Sequence, residues 1–263
     1  MPKIRDIIKA IEAFAPPELA LDFDNCGLLY GDPDKEISSV LVTLDTNPEV
    51  VAEAAAKGCA LIIEHHPTLF YPIKKIDLRH PKHKALCEAI KNDIAIYSAH
   101  TNVDFAEGGL NDEVAKILGL IDITTLDGTP HSARMGRLDR VHTLKELAKK
   151  VELALGDPNV ATVGDPEMKV QTVAIVNGAG GGSEEAVWQA KAAGADIFIT
   201  SEFKYNVVRL AKDVNYGIIT VGHYDSEAPF TNLICRILGE SKTGVKVCPA
   251  QSLKNPFNDR SDK

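Results

Sequence analysis

Apolar positions in this chain recur either at helical intervals or in short continuous runs, and the two patterns alternate. Ile4, Ile7, Ile8 and Ile11 have helical spacing, which predicts an amphipathic helix over Lys3 to Phe14. Pro16-Pro17 ends it. The segment Asp22 to Gly31 follows, an acidic loop that turns into a short strand. Ser39 to Leu44 is rich in β-branched and aliphatic residues and reads as a strand. Asp45-Thr46-Asn47-Pro48 caps an alanine-rich helix that Gly58 closes. The run Cys59 to Ile63 is a third strand, stopped at Glu64-His65-His66-Pro67. Pro72 to Leu78 reads as loop, Lys82 to Lys91 as helix, and Ile94 to Tyr97 as a strand running into Ser98-Ala99-His100-Thr101-Asn102-Val103-Asp104. A turn at Gly108-Gly109 precedes a helix over Leu110 to Leu118.

Between Gly119 and Arg140 the periodicity lapses, which reads as a crossover between two halves. Thr143 is the expected N-cap of a helix reaching Leu155. Strands are predicted near Val160 to Val163 and over Val170 to Val176. A glycine-rich turn, Asn177 to Gly182, leads to a helix over Ser183 to Ala193. The strand Ile197-Phe198-Ile199 ends in Thr200-Ser201-Glu202, and a helix follows over Asn206 to Asp213. Ile218 to Val221 is a strand leading to Gly222-His223-Tyr224-Asp225-Ser226-Glu227, and the last helix covers Pro229 to Gly239. The polar tail from Asn255 to Lys263 is expected to fray.

The halves can be laid over each other. Strand, alanine-rich helix and strand lead to His65-His66 in one and to Ser201-Glu202 in the other. The next strand leads to His100-x-x-x-Asp104 in one and to His223-x-x-x-Glu227 in the other. This predicts an α/β fold of two related units, each a mainly parallel or mixed sheet flanked by helices. Their expected spans are 1–127 and 128–263, with the C-terminal helix packing back on the first.

Composition narrows the function classes. The chain is 44% hydrophobic and 25% charged, ordinary for a globular protein. Its net charge of −8 argues against a general DNA binder. The five cysteines, Cys26, Cys59, Cys87, Cys235 and Cys248, are scattered with no C-x-x-C pair and read as reduced thiols. No apolar stretch is long enough for a membrane span and no signal peptide is evident, so a cytoplasmic location is expected.

His65-His66, His100, Asp104, Glu202, His223 and Glu227 all follow predicted strands. Ligands in α/β sheets bind beyond the carboxyl ends of strands. Imidazoles and carboxylates together suit Zn, Mn, Fe or Ni, and carboxylates can bridge two ions about 3.5–4 Å apart. The ordinary alternatives are hydrogen-bonded histidines at strand ends, with Asp104 and Glu227 as helix caps. His80 and His83 read as surface residues, and His131 and His142 lack acidic partners at useful spacing. The Gly178 to Gly182 loop reads as a flexible turn or, with a nucleotide substrate, as a phosphate cradle; it has neither a Rossmann pattern nor a Walker lysine.

His65-His66-Pro67, the segment Tyr97 to Asp104, and Gly222 to Glu227 resemble the three signatures of the Nif-three-like dinuclear-metal-centre hexamer family, whose members are often named GTP cyclohydrolase I type-two homologues. Asp24 to Leu28 and Gly108 to Asp112 are similar to its secondary motifs. The resemblance covers nearly the whole chain. It implies two divalent metal ions per chain held by His65, His66, Asp104, His223 and Glu227, and a toroidal homohexamer. It also implies a compact form, because the stretch Gly119 to Arg140 leaves no room for the inserted domain of many bacterial relatives. One departure stands out: Asn206 occupies a position that is usually histidine.

Two functions of different class fit these residues. One is a metal-dependent hydrolase acting on a nucleotide or related small molecule, with His100 and Glu202 as candidate catalytic residues. The other is a non-catalytic metal-binding scaffold or metal chaperone.

Overall fold

The structure, a computed structural model, describes residues 1–257; the rest of the predicted frayed tail lies outside the described residues. The chain forms two compact units. One consists of Met1–Ala106 together with the chain from Phe230 onward, and the other is Glu107–Pro229.

The first unit begins with α1 (Ile4–Glu12), whose Ile4, Ile7 and Ile11 are buried, and a 3₁₀ turn at Pro17–Leu19. β1 (Gly27–Tyr30) and β2 (Ser39–Thr43) follow. α2 (Pro48–Ala56) starts at Asn47, whose side chain accepts from the Val50 amide. Next come β3 (Leu61–Glu64), α3 (Pro81–Lys91) and β4 (Ala95–Ser98). A short helix not foreseen from the sequence, α4 (Thr101–Phe105), follows β4 directly. Five residues give too little periodicity to be read.

The second unit opens with α5 (Leu110–Ile117). The expected crossover is instead an antiparallel pair, β5 (Ile121–Thr125) and β6 (Arg134–Thr143). Arg134, Arg137, Asp139 and Arg140 mask the alternation of β6. Then come α6 (Leu144–Leu155), β7 (Ala161–Val163), β8 (Lys169–Ile175), α7 (Glu184–Ala192) and β9 (Ile197–Thr200). Thr143 is the N-cap of α6 and forms a capping box with Glu146. α8 (Tyr205–Asp213), β10 (Gly217–Thr220) and a second unforeseen short helix, α9 (His223–Glu227), complete the unit. The chain then enters α10 (Pro229–Glu240) and a further strand missed in the sequence, β11 (Lys246–Pro249).

The first sheet has the order β1-β4-β3-β2-β11, with β4, β3, β2 and β11 parallel and β1 antiparallel. The second has the order β5-β6-β8-β9-β10-β7, with only β8, β9 and β10 parallel. The α/β class with mixed, helix-flanked sheets therefore holds. The units are not the spans 1–127 and 128–263. β5 bonds to β6 and β6 to β8, which draws residues 107–127 into the second unit. β11 bonds to β2, which makes the first unit discontinuous.

Each unit has its own core. Leu41, Val51, Ile62, Leu86, Ile96 and Cys248 are buried together in the first, and Ala174, Val187, Phe198, Val207 and Ile218 in the second. Cys59 is buried, as an apolar strand approach predicts. Among the described residues, no helix is long and apolar enough to cross a membrane.

Candidate metal centre

In the first unit the parallel register lines up Thr43, Glu64 and Ser98 at the carboxyl ends of β2, β3 and β4. His65 and His66 are the next residues beyond β3. Glu64 is fully buried and accepts from the Thr68 amide and the Thr68 hydroxyl, both at 2.6 Å. These bonds close the turn that carries the two histidines. Burial pushes the Glu64 carboxyl up to about 7, against the hydrogen bonds from Thr46 and Thr68. Ser98 donates its hydroxyl to the His65 carbonyl at 3.0 Å and ties the turn to β4.

Every histidine here is held by Nδ1. His65 Nδ1 lies 2.9 Å from the Ala99 carbonyl, and His66 Nδ1 lies 3.0 Å from Asp45 Oδ1. His100 Nδ1 lies 2.8 Å from Asp24 Oδ1. Each partner is an oxygen acceptor, so the proton is assigned to Nδ1 and the Nε2 lone pair is presented. One donor nitrogen from each of His65, His66 and His100 can be chosen so that all lie within 4.8 Å of one another. Asp104, inside α4, places Oδ1 3.7 Å from His65 Nε2. Its position within that helix, with Gly109 as the N-cap of α5, removes the capping alternative.

The Asp24 side chain is wholly buried. Besides His100 it accepts from the Asn25 amide at 2.7 Å, the Thr101 amide at 3.1 Å and the Thr101 hydroxyl. Burial raises its pKa, but the bonds from His100 and Thr101 outweigh this and hold the carboxyl well below the usual range. Asp45 behaves alike: burial raises it, and the His66 bond and charge bring it below its ordinary value. Neither aspartate was a candidate in the sequence reading. Asp24 lies inside a secondary motif of the family, and Asp45 follows a strand without a histidine beside it.

In the second unit His223 begins α9 and Glu227 ends it. His223 Nδ1 lies 2.8 Å from Glu202 Oε1, and its Nε2 lies 2.9 Å from Glu227 Oε2. Glu202 thus supports His223 through its Nδ1. Asp157, buried, accepts from the Gly222 amide at 2.7 Å and fixes the start of α9. Ser201 and Ser226 share a hydroxyl bond of 2.7 Å, and Ser226 donates to the His223 carbonyl at 2.8 Å. Asn206 is bonded to Glu184 at 2.5 Å.

The glycine loop is not a loose turn. Gly178 has φ +59°, and a Cβ there would stand 2.2 Å from Glu227 Oε1. A Cβ at Gly181 would fall 2.4 Å from Thr200 Cγ2. Glycine is needed because strand ends and the Glu227 carboxylate crowd the backbone. The loop borders a cleft of about 490 Å³ with Glu202 and Lys204. Glu184 and Glu185 fill the first turn of α7, an arrangement that repels phosphate. His80 and His83 stack on each other with centroids 4.5 Å apart. His142, expected to lack an acidic partner, has Asp139 at 3.6 Å.

A family model described as Duf34/NIF3 (NGG1p interacting factor 3) matches residues 2–256. The chain belongs to the DUF34/NIF3 family. It is 35% identical over 261 residues to a Clostridium perfringens protein named "GTP cyclohydrolase 1 type 2 homolog", covering 97% of this chain and 98% of that one. A Lactococcus lactis protein of the same name is 35% identical over 260 residues, covering 98% and 99%. A crystal structure of a Bacillus cereus protein related to NIF3 superposes with a TM-score of 0.88 at 25% identity, covering 98% of this chain and 99% of its own.

The donor set suits a divalent metal. Metal-bound histidines characteristically give their second ring N–H to a carboxylate or backbone carbonyl, which fixes tautomer and orientation. In this NIF3 chain His65, His66 and His100 of the first unit and His223 of the second each have such a partner.

Proposed function

We propose that this chain binds about two divalent metal ions on His65, His66, Asp104, His223 and Glu227 and acts as a metal-dependent hydrolase on a nucleotide or related small molecule. The observation that carries the reading is the common anchoring of the four histidines by Nδ1. Bound metal would supply Lewis acidity and lower the pKa of a coordinated water. The names of the Clostridium and Lactococcus relatives support a cyclohydrolase-like reaction class.

The chain's own residues have separate tasks in this reading. His100, oriented by Asp24, presents Nε2 to accept or return a proton. Glu202 and Asp45 orient His223 and His66. The assembly proposed with it is a cytoplasmic homohexamer. One observation favours a second reading, a non-catalytic metal-binding scaffold or chaperone: Asn206 replaces an expected imidazole and is bonded to Glu184.

Elemental analysis of wild type beside Glu227→Ala and His65→Ala tests the metal reading. The expected result is about two metals per chain, reduced in both variants. A wild type still empty after Zn, Mn and Fe are added back sinks it. Turnover of a nucleotide panel, lost in His100→Ala with metal retained, separates the hydrolase from the scaffold.

A further inference from the structure

Two short segments of the first unit form a cleft of about 390 Å³. Phe23, Asp24 and Asn25 make one wall, and Leu69 to Ile73 make the other. The Asn25 side-chain amide donates to the Leu69 carbonyl, so the walls are tied together. Phe23 and Phe70 meet edge-on with centroids 6.4 Å apart, and Phe70 and Tyr71 do so at 4.7 Å. Phe70 in turn stands edge-on to His100 at 6.2 Å.

Exposure makes two of these rings notable. Phe23 is 67% exposed and Tyr71 75%, in a chain with only 6% aromatic residues. Aromatic side chains are costly to leave in water, and exposed apolar surface gathered around one concavity marks a binding surface. The position is equally informative: Asp24 and Phe70, one from each wall, both touch His100, whose donor nitrogen groups with those of His65 and His66. Residues 74–84 continue from this wall and carry Lys74, Lys75, Arg79, Lys82 and Lys84 against Asp77 alone. That excess of positive charge, in a chain of net charge −8, favours a ligand with an anionic end.

We infer that this cleft seats the planar heteroaromatic base of a nucleotide, stacked on Phe23 and Tyr71. The inference rests on the hydrolase reading for its purpose, since it names the part of the substrate that site would hold. The cleft itself consists of protein side chains, so its binding can be measured with or without metal.

The test is calorimetric titration of the full chain, both chelated and metal-loaded, with GMP, UMP and ribose 5-phosphate. Both nucleotides should bind at least about tenfold more tightly than the ringless phosphate. Phe23→Ala and Tyr71→Ala should each weaken nucleotide binding about 5- to 150-fold, the range for loss of one stacking partner. Tyr71→Phe should restore it, and metal content should stay at the wild-type value. Both side chains are exposed, so the variants should melt at the wild-type temperature. Nucleotide binding that is absent, equal to that of ribose 5-phosphate, or unchanged in the two alanine variants overturns the inference. Dissociation of an oligomer by Tyr71→Ala with nucleotide binding intact also overturns it, because the rings would then serve a second copy of the chain. A chain that takes up metal but fails these titrations keeps its metal-site reading and loses the cleft. A chain that takes up no metal loses the metal-site reading, while the chelated titration still decides the cleft.

Discussion

In the first unit β3 ends in Glu64 and is followed by His65-His66; in the second, β9 ends in Thr200 and is followed by Ser201-Glu202. The two strand ends occupy the same place in their sheets. The Ala99 amide bonds to the Glu64 carbonyl at 2.9 Å, and the Val221 amide bonds to the Thr200 carbonyl at 3.2 Å. His66 and Glu202 are therefore equivalent positions with opposite tasks. His66 presents a donor nitrogen and takes its support from Asp45. Glu202 is itself the support and holds His223. The loops after β2 and β8 show a related exchange. Asp45 lies two residues beyond Thr43, which pairs with Glu64, and Gly178 lies three beyond Ile175, which pairs with Ile199. Asp45 contributes a carboxylate, whereas Gly178 clears space for one. A duplicated scaffold can thus keep its register while donor and support trade places.

The largest effect that could upset this comparison concerns how each unit neutralises its buried acids. The second unit sets Arg134 Nε 2.7 Å from Asp112 Oδ1, with both side chains nearly enclosed. Arg134→Ala leaves that carboxylate uncompensated, and denaturant unfolding should show a loss of about 3–5 kcal/mol. Asp45→Ala in the first unit should cost less, because the Asp45 side chain is 40% exposed. The reverse order would mean that the histidine couples, not the ion pair, hold the structure.

Next in size is the trade of roles. Asp45→Asn and Glu202→Gln should each lower metal affinity about 10- to 100-fold, the usual consequence of removing a ligand's support. Competition with a chromogenic chelator reads this directly. An unchanged affinity in Glu202→Gln beside a reduced one in Asp45→Asn would end the proposed equivalence.

Smaller effects belong to the helices that follow the first parallel strands. Asn47 caps α2 and Ser183 caps α7 by the same side-chain bond. Asn47→Ala and Ser183→Ala should each cost about 1 kcal/mol in thermal unfolding. A large disparity would show that only one of the two helices depends on local capping.

A last effect distinguishes the discontinuous unit from the continuous one. Glu53 on α2 accepts from the amides of Gln251 (3.0 Å) and Ser252 (2.8 Å), just beyond β11, and from Lys57. Burial raises its pKa, but the Lys57 and Ser252 bonds overcome this and set it at about 2, below the ordinary 4.5. A depressed carboxyl stabilises the fold above its unfolded pKa and loses that contribution as pH falls through the folded value. Stability should therefore decline between about pH 5 and pH 2, with a shallower slope in Glu53→Gln. Equal slopes in the two proteins would show that the clasp contributes nothing.

Much of the fold was legible because period and punctuation agree. The isoleucines of α1, the Asn47-Pro48 start of α2 and the Thr143 capping box are local signals that tertiary contacts did not override. The misses have local causes too. α4 and α9 are too short for a period, β6 is crowded with charge, and β11 gains strand character only by bonding to β2. The overlay of His100-x-x-x-Asp104 on His223-x-x-x-Glu227 slips by one residue. The Ala99 and Val221 amides hold equivalent places in their own sheets, which makes His100 equivalent to Gly222. Identical spacing concealed the offset because each motif spans one turn of its own short helix.

By itself the sequence determined the alternation of strands and helices, the duplicated α/β plan and the set of imidazoles and carboxylates at strand ends, since each is written in neighbouring residues. Only tertiary structure decided that Asp24 and Asp45 anchor histidines 76 and 21 positions away, that Glu202 supports His223, and that Gly178 makes room for Glu227. The reason is physical: a hydrogen bond is set by distance and direction between side chains. In this chain those are fixed by strand register and turn closure, which bring together residues that no local pattern connects.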